Sequence, residues 1–332
     1  MPNSIAAPFI RQDVRAFLDF LNALPGPKMS DMEATAARAA YAGMTDLTDP
    51  PVGTLATIID IAIPGPAGAI PARLFDARVD REPGPAMVFY HGGGFVIGNI
   101  ATHASFCVEM ARILDLPVIS IDYRLAPEHP WPAAPDDCEA AARWIATSPA
   151  ALERHVTSLV LAGDSAGGNL TIVTAMALRD LPAAVPVVAQ FAIYPATDTT
   201  RPYPSYKAFA EGYLLTRDSM RWFEAAYRAE GSHVRASPLI GDLAGMPPAL
   251  VLTASLDPIR DQGRAYAAAL AEAGVSVAFR EAEGNIHGFV NMRKAIPSSV
   301  EDVAGALAAL NAMIVEAEGL RLMKQAPAKV GA

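Results

Sequence analysis

The stretch Leu159-Val160-Leu161-Ala162-Gly163-Asp164-Ser165-Ala166-Gly167-Gly168-Asn169-Leu170 runs from a short apolar segment of strand type into an amphipathic helix that passes through Met176 and Leu178. Between the two lies Gly163-x-Ser165-x-Gly167. A strand that turns sharply into a helix crowds its own backbone. Glycines two residues either side of the serine remove the side chains that would clash there. The serine is then held at the tip of the turn, at a helix N-terminus, with its oxygen exposed. Such a hydroxyl can act as a nucleophile if the chain supplies a base, a carboxylate to orient the base, and N–H donors for a developing oxyanion. A small-residue turn that only packs a helix on a sheet has the same local pattern, so the other groups decide.

The sequence holds six histidines: His91, His103, His129, His155, His233 and His287. A nucleophile on a mid-sheet turn is followed along the chain by the acid and then the histidine. That order leaves His233 and His287. His233 lies in an irregular segment with no strand before it. His287, in Gly284-Asn285-Ile286-His287-Gly288-Phe289, directly follows the last strand pattern, where a loop can reach the serine. For the acid, the apolar run 249–253 leads into Ala254-Ser255-Leu256-Asp257-Pro258-Ile259-Arg260-Asp261. Sites in parallel sheets form at the carboxyl ends of strands. Asp257 is the first carboxylate there, and Pro258 stiffens the turn beyond it. Asp261 opens the next helix and is the second candidate, with helix capping as its alternative role. The donors are sought in Tyr90-His91-Gly92-Gly93-Gly94-Phe95, which follows another strand. Three consecutive glycines cost backbone entropy and suit neither helix nor sheet, but they let a backbone approach a ligand and present N–H groups. Ala166 offers a further N–H at the start of the serine helix. The rival, a phosphate-binding loop, requires GxxxxGK[ST] or GxGxxG, and neither occurs.

Positioning these groups takes a sheet. Strand patterns fall at 57–63, 70–75, 86–90, 118–121, 159–162, 187–193, 249–253 and 275–281, with helical patterns over 102–114, 135–147, 262–273 and 298–316. Short apolar runs between amphipathic helices predict an α/β fold: a mostly parallel eight-stranded sheet covered on both faces. The first two strands form a hairpin around Pro64-Gly65-Pro66-Ala67-Gly68. Residues 1–50 precede the sheet as a helical pair. The first helix carries Val14, Phe17, Leu18, Leu21 and Leu24 and ends at Pro25-Gly26-Pro27; the second runs from a Ser30 N-cap towards Tyr41, with a linker over 45–53. The aromatic-rich segment 197–237 interrupts the alternation and reads as a second piece of a lid. The expected division is a helical cap region at 1–50, a catalytic domain at 51–320 and a disordered tail at 321–332.

Composition narrows the function. Hydrophobic residues make up 52% and charged residues 18%, which implies a large core. A net charge of -9 argues against nucleic acid or an anionic membrane as the main partner. Cys107 and Cys138, the only cysteines, imply reduced core thiols and no disulfide framework. No Cys/His cluster has metal spacing. Met1-Pro2-Asn3-Ser4-Ile5 lacks a basic region followed by an apolar run, and Pro, Gly or charge breaks every apolar stretch below membrane length. A soluble cytoplasmic protein without membrane insertion is expected.

His91-Gly92-Gly93-Gly94, Gly163-Asp164-Ser165-Ala166-Gly167-Gly168-Asn169, Asp257-Pro258-Ile259-Arg260-Asp261 and His287-Gly288-Phe289, in that order, resemble the hormone-sensitive-lipase-like family of bacterial carboxylesterases. So does Tyr123-Arg124-Leu125-Ala126-Pro127-Glu128-His129. The resemblance covers roughly 70–291. It implies the α/β-hydrolase fold, a catalytic triad of Ser165, Asp257 and His287, and an oxyanion hole from the N–H groups of Gly93, Gly94 and Ala166. It also implies a cap built from 1–50 and part of 197–237. The implied substrate is a small-molecule ester of short to medium acyl chain. No cofactor is implied, and a homodimer is an implied assembly. An amidase, a longer-chain lipase and a non-catalytic ligand-binding protein on the same fold are the alternatives. Arg124 and Glu128 read as structural.

Overall fold

The computed structural model describes residues 7–325. Its eight strands are β1 (Thr57–Gly65), β2 (Gly68–Asp76), β3 (Gly84–Tyr90), β4 (Val118–Ile121), β5 (Val156–Asp164), β6 (Val187–Ile193), β7 (Ala249–Leu256) and β8 (Val277–Ile286). They form one sheet in the order β1-β2-β4-β3-β5-β6-β7-β8. The hairpin β1–β2 and the β2–β4 pair are antiparallel, and every other pair is parallel. The central strands read as unbroken apolar runs because both their faces are buried. In β5, Leu159 and Leu161 enter one core, and Val160 and Ala162 enter the other; in β3, Val88 and Phe89 divide the same way. This is the two-residue period of a strand.

The helices α4 (Ala133–Ile145), α5 (Ala166–Asp180) and α8 (Arg260–Glu272) cover the first face, and α3 (Ile100–Leu114) and α9 (Ser299–Gln325) cover the second. Both cysteines are buried and free. A third cluster lies at the carboxyl end of the sheet. There Val14, Phe17 and Leu18 of α1 (Gln12–Ala23) pack with Phe209, Leu256, Ile286, Met292 and Ile296.

Several boundaries differ from the sequence expectation. The helix α2 spans Ala34–Thr48, later than expected at both ends, and Ser30 sits in a short 3-10 turn instead of capping it. Tertiary anchoring accounts for the extension: the Thr48 carbonyl accepts the N–H groups of Lys294 and Ala295. Leu24 lies past the end of α1 and is 51% exposed, so it is not part of that helix's buried stripe. The strand β8 continues five residues beyond the expected end, because it keeps pairing with β7 as far as Leu256 and Ile286. The helix α9 continues through Gln325, where a disordered tail was expected from 321; the rest of that tail, 326–332, and residues 1–6 of the cap region lie outside the described residues. As expected of every apolar stretch, the run in α9 is interrupted, here by Gly305 and Glu316. By length and composition alone Ser299–Lys324 could still cross a membrane, with mean hydropathy 1.4 over its most apolar 18-residue window. Its Ala-rich sequence serves packing: Val303, Ala306, Leu307, Leu310 and Ile314 are buried against the sheet.

Candidate active site

The strand β5 ends at Asp164, and Ser165 holds φ 56 and ψ -115 before α5 begins. This left-handed value strains a residue with a side chain and marks a turn under constraint. A Cβ on Gly163 would overlap the Gly167 carbonyl, and one on Gly167 would overlap the Tyr90 carbonyl. The two glycines are therefore required by the close approach of β5, α5 and the end of β3. The Ser165 N–H donates to the Ile193 carbonyl at 2.8 Å, which ties the turn to β6.

His287 follows β8 without an intervening loop. Its Nε2 lies 2.8 Å from Ser165 Oγ and its Nδ1 lies 2.7 Å from Asp257 Oδ2. An ionised carboxylate only accepts, so Nδ1–H donates to Asp257 and Nε2 is left to accept from the serine hydroxyl. Asp257 is fully buried just beyond β7, and its Oδ1 accepts the Ile259 N–H at 2.9 Å. Both carboxylate oxygens are thus engaged, and the orientation of the imidazole is determined by the backbone behind it. The ring of Tyr194 rests on that of His287, with centroids 4.5 Å apart.

The second candidate acid does not enter this chain. Asp261 accepts the Ser205 N–H at 2.9 Å and pairs with Arg260 at 2.8 Å. The expected alternative, a cap on its own helix, is not what it does either: Ser205 belongs to α6 (Pro204–Ala208), so Asp261 ties the 197–237 segment to the body. The second candidate base is also elsewhere. His233 accepts the Arg235 N–H on Nδ1 and sits edge-on to Trp131.

In the glycine run, the Gly92 N–H donates to Asp164 Oδ1 at 2.7 Å. Gly93 has φ +116 and Gly94 φ +59, and the Gly93 carbonyl accepts the N–H groups of Val96 and Ile97. The N–H groups of Gly93, Gly94 and Ala166 find no acceptor among the described residues. All three residues line, with Ser165 and His287, a cavity of about 1330 Å³. Phe20, Leu24, Met44 and Leu47 reach it from the N-terminal helical pair. Tyr206 and Leu214 reach it from the second segment, as does Phe223 on α7 (Arg217–Tyr227). Among the described residues no group of three or more His, Cys, Asp and Glu is placed to hold a metal ion.

Arg124 and Glu128 are away from the serine. Arg124 pairs with Asp137 at 2.7 Å. Glu128 pairs with Arg38 of α2 at 2.6 Å, and this guanidinium holds its carboxyl down at about 2. Arg38 also donates to the carbonyls of Val96 and Ala126. Arg38, Tyr194 and Phe223 are not legible as site residues in the sequence. None carries a local signal, since each acts through a partner far along the chain.

The family model for the alpha/beta hydrolase fold matches residues 87–291. The carboxylic ester hydrolase LipN of Mycobacterium tuberculosis is 40% identical over 71% of this chain, a match that spans 65% of that protein. The ethyl acetate hydrolase of Pseudomonas putida is 33% identical over 91% of this chain and 98% of its own length. Among solved structures, an ester hydrolase from the metagenome of Lake Arreo matches with TM-score 0.86 at 39% identity, over 91% of this chain and 98% of its own. A hyperthermophilic esterase from Pyrobaculum calidifontis matches with TM-score 0.85 at 38% identity, over 93% and 100%. With this topology, these motifs and these matches, the chain belongs to the α/β-hydrolase-fold family, in the hormone-sensitive-lipase-like branch that its motifs resemble.

Proposed function

We propose that the protein is a serine carboxylesterase that hydrolyses small-molecule carboxylic esters through an acyl-enzyme on Ser165. The observation that carries this reading is the unbroken hydrogen-bonded chain from Ser165 Oγ through His287 to Asp257, at 2.8 and 2.7 Å. As Ser165 Oγ attacks the ester carbonyl, His287 Nε2 takes its proton. Asp257 stabilises the resulting imidazolium without itself being protonated. Negative charge on the carbonyl oxygen is met by the N–H groups of Gly93, Gly94 and Ala166, the last at the positive end of α5. Each such donor is worth roughly 2.7–4 kcal/mol of barrier. The imidazolium then protonates the departing alcohol, and a water activated by the same nitrogen releases the acid.

In this reading the helical pair within residues 7–50 and the 197–237 segment form the cap over the cavity, which excludes water and orients the ester. Acyl chains of short to medium length are the preferred substrates. A longer-chain preference is the second reading, favoured by the apolar side chains Phe20, Leu24 and Leu47, which line the cavity while remaining 60%, 51% and 69% exposed. Aryl esters from acetate to palmitate separate the two: a maximum at eight carbons or fewer supports the first. The proposal as a whole fails if no ester in the series is hydrolysed, or if Ser165→Ala hydrolyses them as fast as the parent. A cytoplasmic homodimer completes the proposal, and cell fractionation with sedimentation velocity tests it.

A further inference from the structure

Asp164 is one residue before Ser165, yet nothing in the steps above uses its charge. It is 3% exposed, at the centre of the molecule. A buried carboxylate is costly unless it is paired and hydrogen-bonded. Its partners are specific. Oδ1 accepts the Gly92 N–H at 2.7 Å and lies 3.3 Å from His103 Nε2; the Tyr194 hydroxyl lies 3.4 Å from Oδ2.

His103, a fully buried residue of α3, is held on its other side as well. The Thr102 hydroxyl donates its single hydrogen to the Asn99 carbonyl at 2.9 Å and accepts the Asn99 N–H. His103 Nδ1 lies 2.9 Å from that same oxygen, which fixes the ring from its far side. The contact with Asp164 is 3.3 Å long and off the hydrogen-bond line. Burial works to raise the Asp164 carboxyl, but His103 and the Gly92 N–H outweigh it and hold the group below its ordinary value. The neighbouring His91 is pushed down to about 3 by burial and by His103, so it stays neutral.

We propose that the Asp164–His103 pair is a positioning device that holds the glycine loop in register with the nucleophile. The loop is seated tightly: a Cβ on Gly92 would come 2.5 Å from Asp164 Oδ2. Because the carboxylate takes the Gly92 N–H, the next two N–H groups are turned to the cavity. The anchor is the residue bonded to Ser165, so the loop and the serine oxygen move as one body. Tyr194 extends the arrangement to the base, since its hydroxyl faces the same carboxylate and its ring rests on His287. Asp164 and His103 touch no reacting atom in this scheme; they act through the loop.

The inference rests on the esterase reading, so the parent and Ser165→Ala are assayed first. A parent without Ser165-dependent ester hydrolysis sinks that reading, whatever the other variants do. Given an active parent, Asp164→Asn keeps the shape of the site and removes the charge. Removing one oxyanion donor outright costs on the order of 10²–10³ in kcat. A loosened loop is expected to lose roughly 10–100-fold in kcat, with KM changed by less than about 3-fold. A trifluoromethyl ketone, which forms an oxyanion on the serine, should lose affinity in step with kcat/KM. A non-hydrolysable ether analogue of the same ester should not. His103→Gln should lower kcat in the same way, and adding it to Asp164→Asn should cost less than about 3-fold more, as expected for two groups acting as one unit. A purely structural pair would lower the melting temperature alone, or weaken ketone and ether together. Either result overturns the proposal, as does a folded Asp164→Asn within about 2-fold of the parent. If Asp164→Asn does not fold, the ketone-to-ether comparison on His103→Gln decides by the same criteria.

Discussion

Gly94 and Phe223 meet face to face across the site, and a Cβ on Gly94 would overlap the phenyl ring. A helix of the 197–237 segment is thus in direct contact with the loop whose N–H groups face the cavity. The contact makes Gly94→Ala informative. Its φ of +59 admits alanine at a cost of about 1–2 kcal/mol. The overlap with Phe223 must push the loop away from the serine. We expect a loss of kcat on the order of 10² in Gly94→Ala, comparable to losing a donor. Adding Phe223→Ala should restore at least about 10-fold. Steady-state kinetics on the single and double variants check this, and an unrestored double variant would show that strain alone is responsible.

Asp257 and Asp261 stand four residues apart and should behave differently. Asp257→Asn disturbs the tautomer of His287, and a drop of roughly 10⁴ in kcat is expected. Asp261→Asn keeps an oxygen for the Ser205 N–H and should stay within about 3-fold of the parent. Equal losses in both would undo the assignment of the acid.

The N-terminal helix covers the residues that flank the acid and the base. Val14, Phe17 and Leu18 pack on Leu256 and Ile286, the neighbours of Asp257 and His287. A chain beginning near Pro51 should keep the circular dichroism of the sheet and lose most of its kcat/KM. The point variant Phe17→Ala should cost about 3–5 kcal/mol of stability. Unchanged kinetics in the shortened chain would detach the helical pair from the site, and complete unfolding would make it ordinary core.

Burial pushes the Asp122 carboxyl up to about 6, against roughly 3.9 in an unfolded chain. The folded state therefore favours the protonated acid. That contribution is complete below about pH 4 and is lost as pH rises through about 6. Asp122→Asn should accordingly melt a few degrees above the parent at pH 8, with the gap closing by pH 4. Scanning calorimetry across that range decides the sign. A variant less stable than the parent at pH 8 would mean that the ionised carboxylate has a favourable partner.

Local chemistry is what the sequence alone determined. The Gly163-x-Ser165-x-Gly167 turn, the glycine run after β3 and the alternation of apolar runs with amphipathic helices are each written within a few residues, and they led to the sheet and to the cluster of polar groups at its carboxyl end. The order of serine, acid and histidine favoured His287 over His233 because only one follows a strand. Tertiary structure decided everything that joins distant positions. Ser165 and His287 are separated by 122 positions, and Gly92 and Asp164 by 72. No periodicity reports that a carboxylate will consume the first N–H of the glycine run, or that Asp261 will hold Ser205 instead of its own helix. The extra turns of α2 and the added residues of β8 likewise depend on partners elsewhere in the chain. A side chain's propensity is a property of its neighbours in sequence. A buried charge, an anchored helix end or a ring stacked on a glycine is a property of its neighbours in space.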